Sequence, residues 1–318
     1  MASHTSLAKL LLVGASCAVI AACSDASISS PGEGQLPSPP AGVGGGGGGG
    51  GGAISVDRVP SGGCPGGFSR TTLTLPGGGV EVTACETSGT LTVDANLPGT
   101  AANGQPAVYF LNGAVFVGQD QGATAGAGGA GATLTVGAGA RIVGASPADY
   151  LVVSRGNELV AEGTQFNPIL FTSADDLEAS LSGSPRSADD PTNAEWGGLV
   201  INGRAPINAC DDPAATGGTA QCEKEGEGDS RLFGGNDPAD GSGALRYVQV
   251  RYAGFEVTAG NELNGIAFQG TGSNTEVEYV QVHNNFDDGI EFFGGTTNAK
   301  YVVLTGNGDD SFDVTDGW

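Results

Sequence analysis

The sequence predicts an all-β fold, a right-handed parallel β-helix (β-solenoid) with loop insertions. From about residue 54 onward, short apolar runs alternate with turns rich in Gly, Asn and Asp, as around residues 107–111 and 199–201. Each run has the length of a strand and is rich in β-branched and aromatic residues. No amphipathic helix of useful length is evident, and 58 of the 318 residues are glycine, which disfavours helices.

The C-terminal part contains an internal repeat, which distinguishes a solenoid from other all-β folds. The segment 247–250 recurs at 279–282 and 301–304, and a second motif recurs at 264–268, 288–292 and 310–314. The last two copies are 22 residues apart in both motifs, a period typical of stacked β-coils. Alternate side chains such as Val248, Val250 and Ile266 should then point into one continuous core. A β-sandwich or a propeller is the alternative, but neither fits this period as well.

The first 22 residues have the pattern of an export signal. Lys9 precedes an apolar run at residues 10–22, which is too short for a stable membrane span. The run ends Ile20-Ala21-Ala22-Cys23, which resembles the bacterial lipobox. That resemblance implies cleavage before Cys23 and lipidation of Cys23, with an ordinary signal peptide or a plain membrane anchor as the alternative. Resemblance to enterobacterial lipoprotein sorting implies the outer membrane, because Ser24, and not the Asp that signals inner-membrane retention, follows the cysteine.

The rest of the chain divides into three predicted parts. Residues 23–53 comprise the lipidated Cys23 and a disordered tether rich in Ser, Pro and Gly, with nine consecutive glycines at 44–52. Residues 54–89 are expected to form an N-terminal β segment or cap, and residues 90–318 the β-helix. Because no terminal cap is recognisable before Trp318, we expect the β-helix to be truncated at its C-terminus.

The charge of the chain excludes one class of partner. There are 35 acidic and 12 basic residues, and removal of the export signal would take away Lys9. A protein this acidic would repel the phosphates of nucleic acids. Its charge instead favours solubility outside the cell and the binding of cations.

The cysteines predict two disulfides. Cys17 would leave with the signal, and Cys23 would be lipidated, so Cys64, Cys85, Cys210 and Cys222 remain. The local pairs Cys64–Cys85 and Cys210–Cys222 are the simplest of three connectivities. A zinc site is the alternative, but the Cys-x-x-Cys spacing is absent.

Three segments carry a resemblance to known proteins. They are "LVAEGT" with "NPILFTS" at residues 159–173, "WGGLVINGRAPIN" at 196–208 and "NNFDDGIEFFGG" at 284–295. Together they resemble bacterial surface lipoproteins with a pectate-lyase-like right-handed parallel β-helix. The resemblance covers residues 90–318 and implies the fold, without indicating an activity.

The repeat predicts a ladder of carboxylates. The 22-residue register would place Asp287 and Asp288 beside Asp309 and Asp310 in the next coil, about 4.8 Å away, with Asp313 and Asp316 nearby. Three interpretations remain open: turn residues, a Ca²⁺ site, or the acid and base of a polysaccharide-cleaving enzyme. The His and Arg-x-Lys motifs that accompany such an Asp pair in one enzyme family are absent.

Two long polar insertions, 174–194 and 209–242, interrupt the coils. Such insertions often form the binding face of a solenoid, and the alternative is a tolerated surface loop. We therefore predict a membrane-anchored lipoprotein, periplasmic or surface-exposed, whose β-helix binds or supports a glycan, an envelope layer or an outer-membrane partner. The alternatives are a polysaccharide lyase or glycosidase and a fragment of a larger adhesin.

Overall fold

The structure is a computed structural model that describes residues 53–125 and 131–318. The predicted export signal, the lipidation site Cys23 and the tether up to residue 52 lie outside the described residues. Within the described ranges the chain forms 21 strands and one helix. They are β1 (Ile54–Asp57), β2 (Ser69–Thr74), β3 (Val80–Leu91), β4 (Ala95–Leu97), β5 (Val108–Val117), β6 (Thr133–Val136), β7 (Arg141–Gly144), β8 (Tyr150–Val153), β9 (Glu158–Glu162), β10 (Ile169–Ser173), α1 (Ala174–Leu181), β11 (Gly198–Asn202), β12 (Lys224–Glu225), β13 (Leu232–Phe233), β14 (Gly243–Arg251), β15 (Phe255–Thr258), β16 (Asn261–Leu263), β17 (Ile266–Gln269), β18 (Glu276–His283), β19 (Ile290–Phe293), β20 (Asn298–Thr305) and β21 (Phe312–Thr315).

The strands stack in parallel into three columns, which confirms the predicted parallel β-helix. Column A runs β3–β5–β7–β10–β14–β18–β20, and β1 pairs with the first part of β3 on the edge that faces β5. Column B runs β3–β5–β8–β11–β17–β19–β21. Column C runs β4–β6–β9 and continues through the first halves of β14, β18 and β20. Successive coils therefore lie one strand spacing apart along a single axis.

The core lies inside the three columns and is continuous along the axis. Val248, Val250 and Ile266, which the repeat predicts to point inward, are all buried in it. Trp196 is also fully buried, and its indole N–H donates to the carbonyl of Arg251 at 2.8 Å. Each coil therefore buries its apolar face only by stacking on its neighbours.

The N-terminal end is closed by an antiparallel hairpin. Strand β2 pairs antiparallel with β3, while β3 pairs in parallel with β5. The predicted disulfide Cys64–Cys85 is present here, with a Cα–Cα distance of 5.5 Å. The predicted boundary at residues 89 and 90 falls inside β3, so the sheet continues across it.

The first insertion contains a helix, which the sequence analysis does not predict. Helix α1 begins after Ser173, whose hydroxyl accepts from the N–H of Asp176, and Asp175 and Asp176 in its first turn favour the positive end of the helix dipole. Eight residues are too few to show a periodic pattern. The helix is stable because Ala174 and Leu177 pack on the outer side of column A.

The second insertion packs on the outer side of column B. Its Cys222 and Phe233 are buried in a cluster with Phe116, Val152 and other outward-facing apolar side chains. The predicted disulfide Cys210–Cys222 lies within this segment. No helix in the described part of the chain is long and apolar enough to cross a membrane.

We expect substitution of Phe268 by alanine to destabilise the β-helix strongly. Phe268 is fully buried, and its ring stacks on that of Phe292 at a centroid distance of 5.0 Å. Loss of such a ring typically costs about 3–5 kcal/mol of unfolding free energy. The control is Phe166→Ala, because Phe166 is 86% exposed and should change stability by less than about 0.5 kcal/mol. Equal losses in denaturant unfolding would contradict this description of the core.

Candidate metal centre

The predicted 22-residue register is present between the last two coils. His283 pairs with Thr305 on one side of the turn, and Ile290 pairs with Phe312 on the other. The two turns between these strands, 284–289 and 306–311, therefore lie one above the other. Asp287 and Asp288 occupy the first turn, and Asp309 and Asp310 the second.

The carboxylates converge in two overlapping groups. Ligand oxygens of Asp287, Asp288 and Asp309 lie within 4.8 Å of one another, and so do those of Asp288, Glu291 and Asp313. Asp288 belongs to both groups and is 7% exposed. We call these five side chains the carboxylate cluster.

Asp310 differs from the sequence-based expectation, because it belongs to neither group. Its carboxylate is not brought together with the others, and its backbone N–H donates to Oδ1 of Asp288 at 2.8 Å. Asp310 therefore orients Asp288 through its main chain. Asp316 lies elsewhere and accepts from Nζ of Lys224 at 2.8 Å.

Three side chains of this region were not predicted from the sequence. Nδ2 of Asn264 donates to Oε2 of Glu291 at 2.7 Å and to Oε2 of Glu227 at 3.1 Å, and its Oδ1 accepts from the N–H of Asp288 at 3.2 Å. Glu291 stands between the inward-facing Ile290 and Phe292, so strand alternation could have placed it outside the core. Glu227 comes from the second insertion, and no local pattern could have placed it there.

Burial raises the pKa of the acids in this region. The pKa of Glu291 is raised to about 9 and that of Glu227 to about 8, first by burial and then by neighbouring carboxylates. The pKa of Asp288 is raised to about 6 for the same reasons, and that of Asp287 is also raised. Without a cation, Glu291 and Glu227 therefore hold protons at neutral pH.

These residues fit a hard divalent cation. Calcium takes six to eight oxygen ligands at about 2.3–2.6 Å, so two ligands of one ion can be at most about 5 Å apart. The oxygens of each group satisfy this limit. A bound cation would also lower the pKa values that burial raises, because it favours ionised carboxylates.

Two surface grooves are lined by residues other than the carboxylate cluster. Each groove has a volume of about 510 Å³, and both lie on the described part of the chain. One contains Glu158, Glu162 and Glu276. The other contains Tyr247, Tyr279 and Tyr301. Neither groove presents the cluster to a polymer, as the enzymatic interpretation requires.

Comparison with known proteins gives one match. The family model of the pectate-lyase-like β-helix domain matches residues 123–318, which is more than half of the chain and includes the carboxylate cluster. No curated protein and no solved structure matches the chain.

In the presence of a chelator, we expect the stability of the fold to decrease as the pH rises. The folded state binds protons on Glu291 and Glu227 more tightly than the unfolded chain does, so stability is lost between about pH 4.5 and pH 9. Each tenfold shift in acid dissociation corresponds to about 1.4 kcal/mol. Glu291→Gln should flatten this slope in denaturant titrations across that pH range.

The matched control is Glu158→Gln, since Glu158 is exposed in β9 and distant in sequence from the cluster. It should keep the wild-type slope. If Glu291→Gln also keeps the wild-type slope, burial of Glu291 does not destabilise its ionised form.

Proposed function

The chain belongs to the pectate-lyase-like β-helix domain family, and from this premise we propose that it is an envelope lipoprotein whose β-helix is a calcium-stabilised binding scaffold. Lipid on Cys23 would anchor it in the outer membrane, and the tether would separate the β-helix from the bilayer. The scaffold would be periplasmic or surface-exposed and would present its faces to a glycan, an envelope layer or an outer-membrane partner. The central observation is the convergence of carboxylates on Asp288.

Two features support a location outside the cytoplasm. The residues before Cys23 have the order of a positive n-region, an apolar stretch and a lipobox-like end. The four cysteines of the described residues form two disulfides, as is usual in oxidising compartments. Three acyl chains would exceed the two membrane signals that stable anchoring requires.

The electrostatics of the cluster support the role of calcium. Asp288 and Glu291 are both 7% exposed, so their ionised forms lack solvation and repel one another. Lys224 is the cation that lowers the pKa of Glu227, but its ammonium group is paired with Asp316. A divalent cation would neutralise the repulsion and join the last two coils. The same ion would hold Glu291 of β19 beside Asp313 of β21.

Calcium is expected to stabilise the wild-type chain against thermal unfolding. An ion that binds only the folded state adds about 2.7 kcal/mol at 100 times its dissociation constant. Asp288→Asn should abolish this gain, because it removes the charge shared by both groups while keeping an oxygen that can accept from the N–H of Asp310. Asp189→Asn is the matched control, since Asp189 is exposed in the first insertion. Equal calcium responses in all three proteins, or none in wild type, would refute the site.

Lipidation is tested separately in a bacterial host that processes lipoproteins. Wild type should be recovered in the membrane fraction, with an acylated N-terminus at residue 23 in mass spectra. Cys23→Ala should lose the acyl mass and leave the membrane fraction. Cys17→Ala is the control, because Cys17 lies in the segment to be removed, and it should behave as wild type. Unacylated wild-type protein would contradict the lipoprotein assignment.

A further inference from the structure

Three tyrosines form a stacked ladder at one corner of the β-helix. Tyr247, Tyr279 and Tyr301 lie where column C ends and column A begins on successive coils. Their ring centroids are 4.6 Å and 4.5 Å apart, with interplanar angles of 5° and 12°. The ladder therefore runs parallel to the axis, with one ring for each coil.

The tyrosines have a backbone conformation that bulky residues rarely adopt. Their φ angles are 49°, 57° and 57°, in the left-handed region. This conformation is unfavourable for a residue with a bulky side chain, whereas the stacking of an aromatic pair is favourable. Stacking thus offsets part of the free energy that the left-handed conformation costs a tyrosine. Glycine or asparagine at this corner would adopt the conformation more easily. A function that requires aromatic rings at this surface would explain why tyrosine occupies all three positions.

The ladder forms one wall of an uncharged groove, which we call the tyrosine groove. Gln249, Gln281 and Val303 on the outer side of column A line it, together with Gln165 and Pro168 from a turn. Helix α1 packs on the earlier coils of column A and does not reach these positions. In a chain with a net charge of −23, a groove lined without charged side chains favours an uncharged ligand.

The exposed surfaces of the groove are mainly aromatic. Tyr279 is 37% exposed. Because both faces of its ring lie against neighbouring rings, its exposed surface consists of the ring edge and the hydroxyl group. Tyr301 is 64% exposed, and Phe166, between the lining residues Gln165 and Pro168, is 86% exposed. Aromatic walls interspersed with hydrogen-bonding groups are the surfaces that bind polyproline II segments.

We propose that the tyrosine groove binds residues 36–40 of this chain, Leu-Pro-Ser-Pro-Pro, as a polyproline II helix. Prolines at 37, 39 and 40 fix φ near the required value, and Leu36 and Ser38 precede prolines, which favours extended conformations. A polyproline II helix repeats every three residues, about 9.3 Å. The two steps of the ladder, 4.6 Å and 4.5 Å, together cover nearly the same distance as one such repeat. The same face of the segment would thus meet Tyr247 and Tyr301.

The chain is long enough for this contact. Residue 53 precedes β1, and just after β1 the carbonyl of Arg58 accepts from the N–H of Val108 in β5. Four coil steps of about 4.8 Å, from β1 through β5, β7 and β10 to β14, make about 19 Å along the axis. The 13 residues from 40 to 53 span up to about 43 Å when extended.

Covalent attachment also favours binding of residues 36–40 over binding of a separate peptide. A short flexible linker gives an effective concentration in the millimolar range, so even weak binding would fill the groove. The bound segment would fix the angle between the tether and the β-helix. A partner that also binds the groove would have to displace it.

The test uses a synthetic peptide of residues 35–42 and tyrosine-ring NMR of the full chain. The peptide should bind a variant with Pro37→Ala, Pro39→Ala and Pro40→Ala, whose own segment no longer docks. It should bind wild type at least about twofold more weakly, because the tethered segment competes. It should not bind Tyr279→Asn combined with the proline substitutions. Asparagine tolerates the left-handed conformation, and Tyr301→Asn replaces this variant if it does not fold.

The control peptide has Ala at positions 37, 39 and 40 and should bind none of these proteins. Equal binding of the proline peptide to wild type and to the proline variant would overturn the proposal and identify a groove for a separate proline-rich partner. Failure of the peptide to bind the proline variant would also overturn it. Displacement of ring signals by cellohexaose instead of the peptide would assign the groove to a glycan.

Discussion

Parallel stacking of the coils in register determines which side chains meet along the axis of the β-helix. Main-chain hydrogen bonds fix each strand against the same positions of the next coil, so a residue type that recurs every 22 residues meets its own kind. For valines this produces a core, as with Val280 beside Val302. For tyrosines it produces a ring ladder, and for aspartates it brings carboxylates together. The hydrogen-bonded backbone thus determines both the stability of the β-helix and which side chains meet along it.

The two insertions cover apolar side chains on the outer sides of the β-helix. Outward-facing apolar residues such as Phe110 and Val152 would be exposed on an isolated coil, yet they are buried beneath α1 and beneath the second insertion. The second insertion is also held by the fully buried Arg155, which pairs with Asp120 and Glu223 at 2.6 Å. It therefore acts as a structural cover, and through Glu227 it also contributes to the acidic region beside β19.

The repeat was sufficient to predict the β-helix, its register and the meeting of Asp287, Asp288 and Asp309, because these depend on a fixed period along the chain. Helix α1 could not be predicted, since its stability comes from packing of Leu177 on a distant sheet. Asn264 and Glu227 were missed for a related reason: they meet Glu291 through a preceding coil and an insertion of irregular length. Asp310, which the register predicts as a ligand, lies in neither group of converging carboxylates, because register places a residue on a turn without fixing the direction of its side chain.

The calcium site can be tested with crystals grown in the presence of calcium, from which anomalous diffraction data locate the ion. We predict an anomalous peak bound by Asp288 and at least two other carboxylates of the cluster, with oxygen distances of about 2.3–2.6 Å. Well-ordered carboxylates with no peak among them, at calcium concentrations that saturate ordinary protein sites, would contradict it.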